Sequence, residues 1–181
     1  MDGRLGAPIQ VGWVVEDLDR AMREVTRLFA VQEWRVADWP DPALPDIVSF
    51  HRGQPTADWR ARMAFGHLGS MEIELVENLA GASTYAEWLA THGPGVHHLM
   101  YPVDDVEAVM TGFADQGIAV LTSCGVLLTD GFHPRWAVLD TGGASESTPK
   151  WSLVEACTAE EGVTVAADVL GMARGSAAPG R

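Results

Sequence analysis

The sequence reads QVGWVVEDLD at residues 10–19 and HLMYPVDDVE at residues 98–107, an offset of 88 residues throughout. Each segment is a short apolar run that is followed by acidic residues and an amphipathic stretch. A second pair, IELVEN at residues 73–78 and WSLVEA at residues 151–156, is separated by 78 residues. Self-similarity of this kind indicates an internal structural repeat. We therefore expect two halves, each of which begins with a strand and a helix and ends with a strand.

The stretch after each acidic pair has the spacing of an amphipathic helix. Apolar residues recur at helical intervals in both halves: Leu18, Met22, Val25 and Phe29, then Val106, Met110 and Phe113. Residues 83–92 predict a further helix that joins the halves, with Ser83 as its cap and Gly93 at its end. Residues 37–45 and 142–149 contain proline with small or acidic residues, so both are interpreted as loops.

The remaining segments alternate between apolar and polar residues, which predicts strands. The predicted strands are 46–50, 62–67 and 71–77 in the first half, and 120–128 and 135–139 in the second. Each half then has the order βαβββ, and the fold class is α+β with paired βαβββ modules. The predicted division is a first module at 8–80, a linking helix at 81–94, a second module at 95–157 and a partly disordered C-terminal tail at 158–181.

Composition limits the function. The 181 residues suit a single domain of two similar halves, and the formal net charge of -13 makes nucleic acid an unfavourable partner. The cysteines, Cys124 and Cys157, lack the spacing of metal ligands, which suits a reducing compartment. No apolar run is long enough for a bilayer and no signal peptide is evident, so we expect a cytoplasmic protein that does not bind membranes.

Strand alternation predicts one shared concave surface. Because alternate side chains of a strand share a face, Gln10, Glu74, His98 and Ser152 are expected to line the same concavity. Met100 shares a face with His98, and Glu72 with Glu74. The opposite faces carry bulky apolar residues that should pack under the helices: Val11, Trp13, Val15, Ile73, Leu75, Leu99, Tyr101 and Leu153.

Three stretches together resemble a known superfamily: residues 10–19, residues 73–78, and GVHHLMYPVDD at residues 95–105. They are similar to the vicinal oxygen chelate superfamily, which includes glyoxalase I, methylmalonyl-CoA epimerase, extradiol dioxygenases and bleomycin-resistance proteins. The resemblance covers roughly residues 8–157, and GPGVHH at residues 93–98 looks most like the epimerase branch. It implies that the paired modules form an incomplete barrel around one pocket.

The resemblance also implies a divalent metal held by four side chains of the inner strands. By position, the ligands fall on Gln10, Glu74 and His98, whereas His97 should point to the other face. The fourth ligand is normally glutamate, and here the position holds Ser152. A serine hydroxyl is a weak ligand and a poor base, so the metal site looks degenerate. One divalent ion, or none, is therefore expected.

Each candidate residue also has a structural interpretation. Glu74 and His98 are the candidate catalytic residues, with Glu72 as a replacement base, but they fit an exposed strand carboxylate and a core histidine as well. Gln10, Met100, Ser152 and Trp39 are the candidate substrate-binding residues. Trp39 is expected to act as a pocket lid in the proline-containing loop, although most tryptophans of the chain should be core or subunit interface.

Two functions remain open at this level. The first is an isomerase, epimerase, cyclase or lyase that acts on a small carbonyl or enolisable substrate. The second is a metal-free small-molecule binding or drug-sequestering resistance protein. An enzyme should show polar groups that converge on one reacting atom, whereas a binding protein should show an apolar or aromatic slot. A homodimer is expected in either case, because resembling proteins often pair.

Overall fold

The computed structural model describes residues 5–42, 47–141 and 150–155, and of residues 151–155 it describes the backbone alone. The helices are α1 (Leu18–Phe29), α2 (Thr84–His92) and α3 (Val106–Ala114). The strands are β1 (Gln10–Val15), β2 (Arg35–Trp39), β3 (Ile47–His51), β4 (Gln54–Pro55), β5 (Arg60–Leu68), β6 (Met71–Ala80), β7 (Gly95–Val103), β8 (Val120–Leu128), β9 (Gly131–Leu139) and β10 (Lys150–Glu155). The predicted α+β class is confirmed. Among the described helices, none has the length and apolarity that crossing a bilayer requires.

The helices begin where short polar side chains cap them. Asp17, Ser83 and Asp105 each accept a hydrogen bond from a backbone N–H of the first turn that follows, as expected for N-caps. The predicted start of α2 at its Ser83 cap is therefore confirmed. Its predicted end is also confirmed, because Gly93 caps the helix with a φ of 75°, a conformation that glycine adopts without strain.

Two of the described strands, β2 and β4, are absent from the sequence prediction. Residues 37–39 are predicted as part of a loop, but they belong to β2, in which Trp39 is buried while Val36 and Asp38 are exposed. The strand is short and ends at a proline, a pattern that suits an edge strand as well as a loop. The two-residue strand β4 is also not predicted. The loop at 142–149, residue 46, residues 156–157 and the tail at 158–181 lie outside the described residues.

All ten described strands form one sheet, in the order β2-β5-β6-β1-β7-β10-β9-β8-β3-β4. β2 and β3 follow one another in the chain but lie eight strand positions apart, which in a flat sheet would be about 38 Å. The chain from Trp39 to Ile47 spans at most about 29 Å when fully extended. The sheet must therefore be curved, as an incomplete barrel requires.

The inside of the curl holds the largest apolar cluster. It combines Trp39 of β2 with Leu121 and Cys124 of β8, although these strands lie near opposite ends of the sheet. The other members are Val14, Trp59, Ala61, Met63, Phe65, Val76, Tyr85, Trp88, Met100, Trp136 and Val138. Separate clusters pack beneath α1 and α3 on the outer face and include Ile73, Leu75 and Leu139. The predicted division of the β1 and β6 side chains between inner and outer faces is confirmed.

Candidate active site

The three candidate residues Gln10, Glu74 and His98 lie on adjacent strands. β1 pairs in parallel with β6 and antiparallel with β7, so that Gly12 is the register partner of both Glu74 and His98. Gly12 has a structural role here, because a Cβ at this position would overlap the imidazole ring of His98. The absence of a side chain on β1 thus gives the His98 ring its place between the strands.

The polar atoms of these residues converge. His98 Nε2 lies 3.2 Å from Glu74 Oε2 and 3.3 Å from Gln10 Oε1. All three side chains are buried, with 2% or less of each residue exposed. Although Glu74 Oε2 is close to His98, the contact lacks hydrogen-bond geometry, and this buried oxygen has no hydrogen-bond partner among the described residues. A buried carboxylate oxygen without a partner is costly, so it marks a place where a further group is expected to bind.

Glu72 joins the group through Gln10. The Gln10 Nε2 amide donates to Glu72 Oε1 at 2.6 Å, which orients the amide so that its oxygen faces His98. Burial raises the pKa of Glu72; the Gln10 hydrogen bond opposes this rise and the neighbouring Glu74 carboxylate adds to it. Glu72 is therefore a partly buried carboxyl that holds its proton to a higher pH than an ordinary glutamate.

His97 lies on the same side of the sheet as His98, which corrects the sequence analysis. Strict alternation places His97 on the opposite face, but a bulge interrupts β7: Gly12 pairs with His98 while Trp13 pairs with Val96. His97 is the extra residue, and such an insertion breaks the alternation of side chains. Both histidine rings contact the ring of Tyr85 and both residues are fully buried.

The two histidines contact each other and a helix residue that the sequence analysis missed. His97 Nδ1 lies 3.0 Å from His98 Nδ1, and His97 Nε2 lies 3.1 Å from the hydroxyl oxygen of Thr84, the first residue of α2. Burial, and secondly the neighbouring His98, lower the pKa of His97 well below its usual range. The sequence carried one signal for this pair, the adjacent histidines, but nothing in it linked Thr84 to them.

Helix α2 covers the site from the inside of the barrel. The Tyr85 ring stacks 5.9 Å from Trp59 and 6.4 Å from Trp136, and lies 4.9 Å from the ring of His97. Burial raises the pKa of the Tyr85 hydroxyl well above its ordinary value. Because α2 closes over the polar group, a substrate would reach it only when this helix or its side chains move aside.

The other candidates lie on the inner face or outside the described side chains. Met100 and Trp39 are both in the inner cluster. Trp39 is the last residue of β2 and packs on Trp59 at 5.2 Å, so the prediction that it sits in a loop is wrong. Its role as a pocket lid stays a prediction. Ser152 is the register partner of Met100 and Val138, and its side chain is outside the described part of the chain.

The arrangement fits a divalent cation in geometry and in donor chemistry. Two donors at right angles, each about 2.1 Å from one cation, lie about 3.0 Å apart. The separations of 3.2 and 3.3 Å around His98 Nε2 are close to this value. The donors are an imidazole, a carboxylate and an amide oxygen. Within the described residues, no group of three or more His, Cys, Asp or Glu side chains is placed to hold a metal ion. The third donor of this set is a glutamine, so the set does not depend on such a group.

Comparison with known proteins supports the class that this fold and site define. The family model of the Glyoxalase/Bleomycin resistance protein/Dioxygenase superfamily matches residues 9–132. The chain therefore belongs to this superfamily, also called the vicinal oxygen chelate superfamily, as the sequence motifs predicted. Divalent metals are common among its members. No curated protein matches the chain.

Solved structures with a similar fold include methylmalonyl-CoA epimerases. The epimerase of Mycobacterium tuberculosis has a TM-score of 0.54 and 19% identity, over 87% of this chain and 93% of that one. An epimerase variant of Streptomyces coelicolor in complex with 2-nitronate-propionyl-CoA has a TM-score of 0.54 and 19% identity, over 84% and 95% of the two chains. A methylmalonyl-CoA epimerase in complex with methylmalonyl-CoA and NH4+ has a TM-score of 0.52 and 19% identity, over 84% and 95%. At this identity the likeness shows the fold.

Proposed function

We propose that the protein is an enzyme that acts on a small carbonyl or enolisable substrate, with isomerase or epimerase chemistry, and that Gln10, Glu74 and His98 hold one divalent cation. The observation that carries the proposal is the convergence of three buried donor atoms, His98 Nε2, Glu74 Oε2 and Gln10 Oε1. Of these, Glu74 Oε2 has no hydrogen bond among the described residues. A purely structural polar cluster would be expected to satisfy all of its buried atoms.

The cation would supply Lewis-acid polarisation of a substrate oxygen. Glu72 is the candidate for moving the proton at the adjacent carbon, because its pKa is raised by burial and a general base works best when its pKa approaches the working pH. Gln10 holds this carboxyl by donating to Glu72 Oε1. Helix α2 would exclude water while the proton is transferred, since Tyr85 and Trp88 cover the inner side of the site.

The substrate class that we propose first is an acyl thioester. Structural neighbours of this chain have been solved with 2-nitronate-propionyl-CoA and with methylmalonyl-CoA. Keto acids and polyketide-like rings belong to the same chemical class of enolisable compounds and are the next candidates. Cyclase or lyase chemistry would use the same residues on such a ring.

Metal content and proton exchange test the proposal together. We expect about one equivalent of a divalent metal in the purified protein by elemental analysis, or after titration with Co²⁺. We also expect deuterium to enter methylmalonyl-CoA in D₂O, monitored by mass spectrometry. Glu74→Gln should lose the metal, and Ser152→Glu should bind it more tightly because it adds a carboxylate.

The matched control is Glu77→Gln on the same strand. Glu77 Oε2 lies 3.5 Å from Arg62 Nη1, away from the site, so this variant should keep both metal and exchange. Equal metal content in Glu74→Gln and in the unmodified protein would rule out the cation site proposed here. Metal binding without exchange into any enolisable probe would rule out the proposed reaction class.

A metal-free binding function is the second candidate, and a specific feature favours it. The inside of the barrel is lined by aromatic rings that pack on one another, those of Trp39, Trp59, Tyr85 and Trp136. The net charge of -13 would suit a cationic ligand. Quenching of tryptophan fluorescence by a cationic aromatic compound, retained in Glu74→Gln and without added metal, would support this function. In a metal-free binding protein, His98 and Glu74 would form the polar end of an aromatic binding pocket.

We also propose that the protein forms a homodimer through the outer surface near α1. Leu28 and Phe29 are 61% and 40% exposed at the end of this helix, and Phe29 packs edge-on against Trp13 at 6.1 Å. Exposed apolar residues next to one another favour an interface. Light scattering after gel filtration should give the mass of a dimer, and Leu28→Glu should shift it toward the monomer. A monomer at high concentration would contradict the proposal.

A further inference from the structure

Five buried side chains form a continuous chain of polar contacts from α2 to the candidate site. The Thr84 hydroxyl oxygen lies 3.1 Å from His97 Nε2, and His97 Nδ1 lies 3.0 Å from His98 Nδ1. His98 Nε2 then faces Gln10 Oε1 and Glu74 Oε2. Both histidines are fully buried, so water does not compete for the contact between their rings, while Thr84, at 3% exposed, ends the chain beneath the surface.

The proton positions follow from the chemistry of the atoms. In a hydrogen bond between two imidazole Nδ1 atoms, one nitrogen carries the proton and the other accepts it. The Gln10 amide is oriented by Glu72, so that two acceptor oxygens face His98 Nε2. A neutral His98 therefore carries its proton on Nε2 and accepts at Nδ1 from His97. His97 Nε2 then accepts from the Thr84 hydroxyl.

A cation at His98 Nε2 requires the opposite arrangement. Nε2 must then offer its lone pair, so the proton of His98 sits on Nδ1 and is donated to His97 Nδ1. His97 carries its proton on Nε2 and donates it to the Thr84 oxygen. A hydroxyl both donates and accepts, and for this reason threonine can end the chain in either state.

We propose that Thr84 and His97 are positioning residues that set the tautomer of His98, and that the direction of this relay reverses when His98 Nε2 binds a cation. The second part rests on the proposed function. Each ring carries one proton in both states. The cation displaces the Nε2 proton of His98 to solvent, the proton between the Nδ1 atoms crosses to His98, and the Thr84 hydroxyl passes one proton to His97 Nε2. Solvent replaces that hydroxyl proton, since Thr84 lines an open surface groove with Arg52, Glu87 and His92.

Nitrogen NMR of the histidine rings tests the relay directly, because two-bond N–H couplings distinguish the tautomers. In the metal-free protein we expect the proton on Nδ1 of His97 and on Nε2 of His98. After one equivalent of Zn²⁺, we expect both rings to change to the opposite tautomer. A metal-free His97 protonated on Nε2, or a His97 that keeps its Nδ1 proton when His98 is loaded, would overturn the proposal.

Variants of Thr84 provide the second readout. Thr84→Val removes the group that accepts from His97 in the loaded state, so Zn²⁺ affinity should fall about 10–100-fold. Thr84→Ser keeps the hydroxyl and should restore the affinity to within a few-fold, and Thr84→Ala serves if the valine variant does not fold. Equal affinity in the valine and serine variants would count against the relay. If the unmodified protein binds no Zn²⁺, the proposed function fails, while the metal-free spectrum still decides the tautomer of His98.

Discussion

A single glycine decides whether the His98 ring fits between the strands. Gly12 is the register partner of both Glu74 and His98, and the ring occupies the space that a side chain on residue 12 would need. The neighbouring strand therefore contributes to the site by an absent side chain. A comparison of motifs identifies residues with functional side chains, and it does not detect a position that matters because it has no side chain.

Gly12→Ala should destabilise the protein by about 1–3 kcal/mol, because the added methyl forces the His98 ring out of its place in a packed interior. The same change should abolish the contact between His98 and Glu74, and with it any metal binding. Urea denaturation and Co²⁺ titration measure the two effects.

Gly112→Ala is the control for this prediction. Gly112 lies in α3 with open space around it, and alanine in a helix is favoured by about 0.5–1 kcal/mol. The two substitutions add the same methyl group, so we expect effects of opposite sign. A Gly12→Ala protein as stable as the unmodified one would show that the His98 ring does not need this space.

At the scale of elements, α2 determines how closed the site is. The helix supplies Thr84 to the histidine pair and Tyr85 and Trp88 to the inner cluster. Outside the cluster, Glu87 of α2 contacts β3 and the turn that follows it. Arg52 of the turn donates two hydrogen bonds to Glu87, at 3.0 and 2.9 Å, and His51 Nε2 of β3 lies 3.0 Å from the same carboxylate. Contacts at the surface thus hold a helix that covers the interior.

The ionic attachment of α2 predicts a pH dependence of stability. The hydrogen bond from Arg52, followed by that with His51, lowers the pKa of Glu87 to about 2. Because the folded-state pKa is below the unfolded one, this contribution is present above the ordinary glutamate pKa and is lost as the pH falls toward about 2. The Glu87 side chain is 44% exposed, so we expect a modest effect that salt weakens.

Unfolding free energies of the unmodified protein and of Glu87→Gln should therefore converge as the pH falls from about 5 to about 2. Other carboxylates titrate over the same range, but their effects cancel in the difference between the two proteins. When both proteins also carry Arg52→Gln, the difference in unfolding free energy caused by Glu87→Gln should depend less on pH, since Arg52 is the main cause of the lowered Glu87 pKa. A difference that stays constant with pH would contradict this account.

At the scale of the whole molecule, the two halves of the chain are joined by strand pairing at two places in the sheet. β1 pairs with β7 in the middle of the sheet, and β3, from the first half of the chain, pairs with β8 of the second. The inner cluster draws on strands from both halves. Neither half, as divided in the sequence analysis, encloses this cluster alone.

We predict that the two halves unfold as one cooperative unit. Tryptophan fluorescence and far-UV circular dichroism should give the same urea midpoint. A core substitution in either half, such as Leu75→Ala or Leu139→Ala, should lower the free energy of unfolding by about 2–5 kcal/mol and shift both midpoints equally. A chain of residues 1–94 should not fold alone. Two separated transitions, or a folded fragment, would show that the modules are independent.

The local features of this protein could be read from its sequence. Helix α2, with its cap at Ser83, and the sharing of one face by Gln10 and Val14 follow from residue patterns within a few positions. The repeat showed which strands of the two halves correspond. Strand alternation and the family resemblance then predicted that Gln10, Glu74 and His98 share one pocket. The misassigned residues 37–39 show the limit, because a short edge strand that ends at a proline carries little periodic signal.

Only the tertiary structure decided the features that depend on pairing between distant segments. The bulge in β7 turns His97 to the side of His98, and it arises from the register between β1 and β7, which no local pattern records. The packing of α2 inside the barrel connects Thr84 to His97 and covers the site with Tyr85. The sequence by itself thus determined the family, the faces of β1 and β6, and the expectation that Gln10, Glu74 and His98 share one surface. Non-local register and packing determined that these donors are buried, and that the group continues through His97 to Thr84.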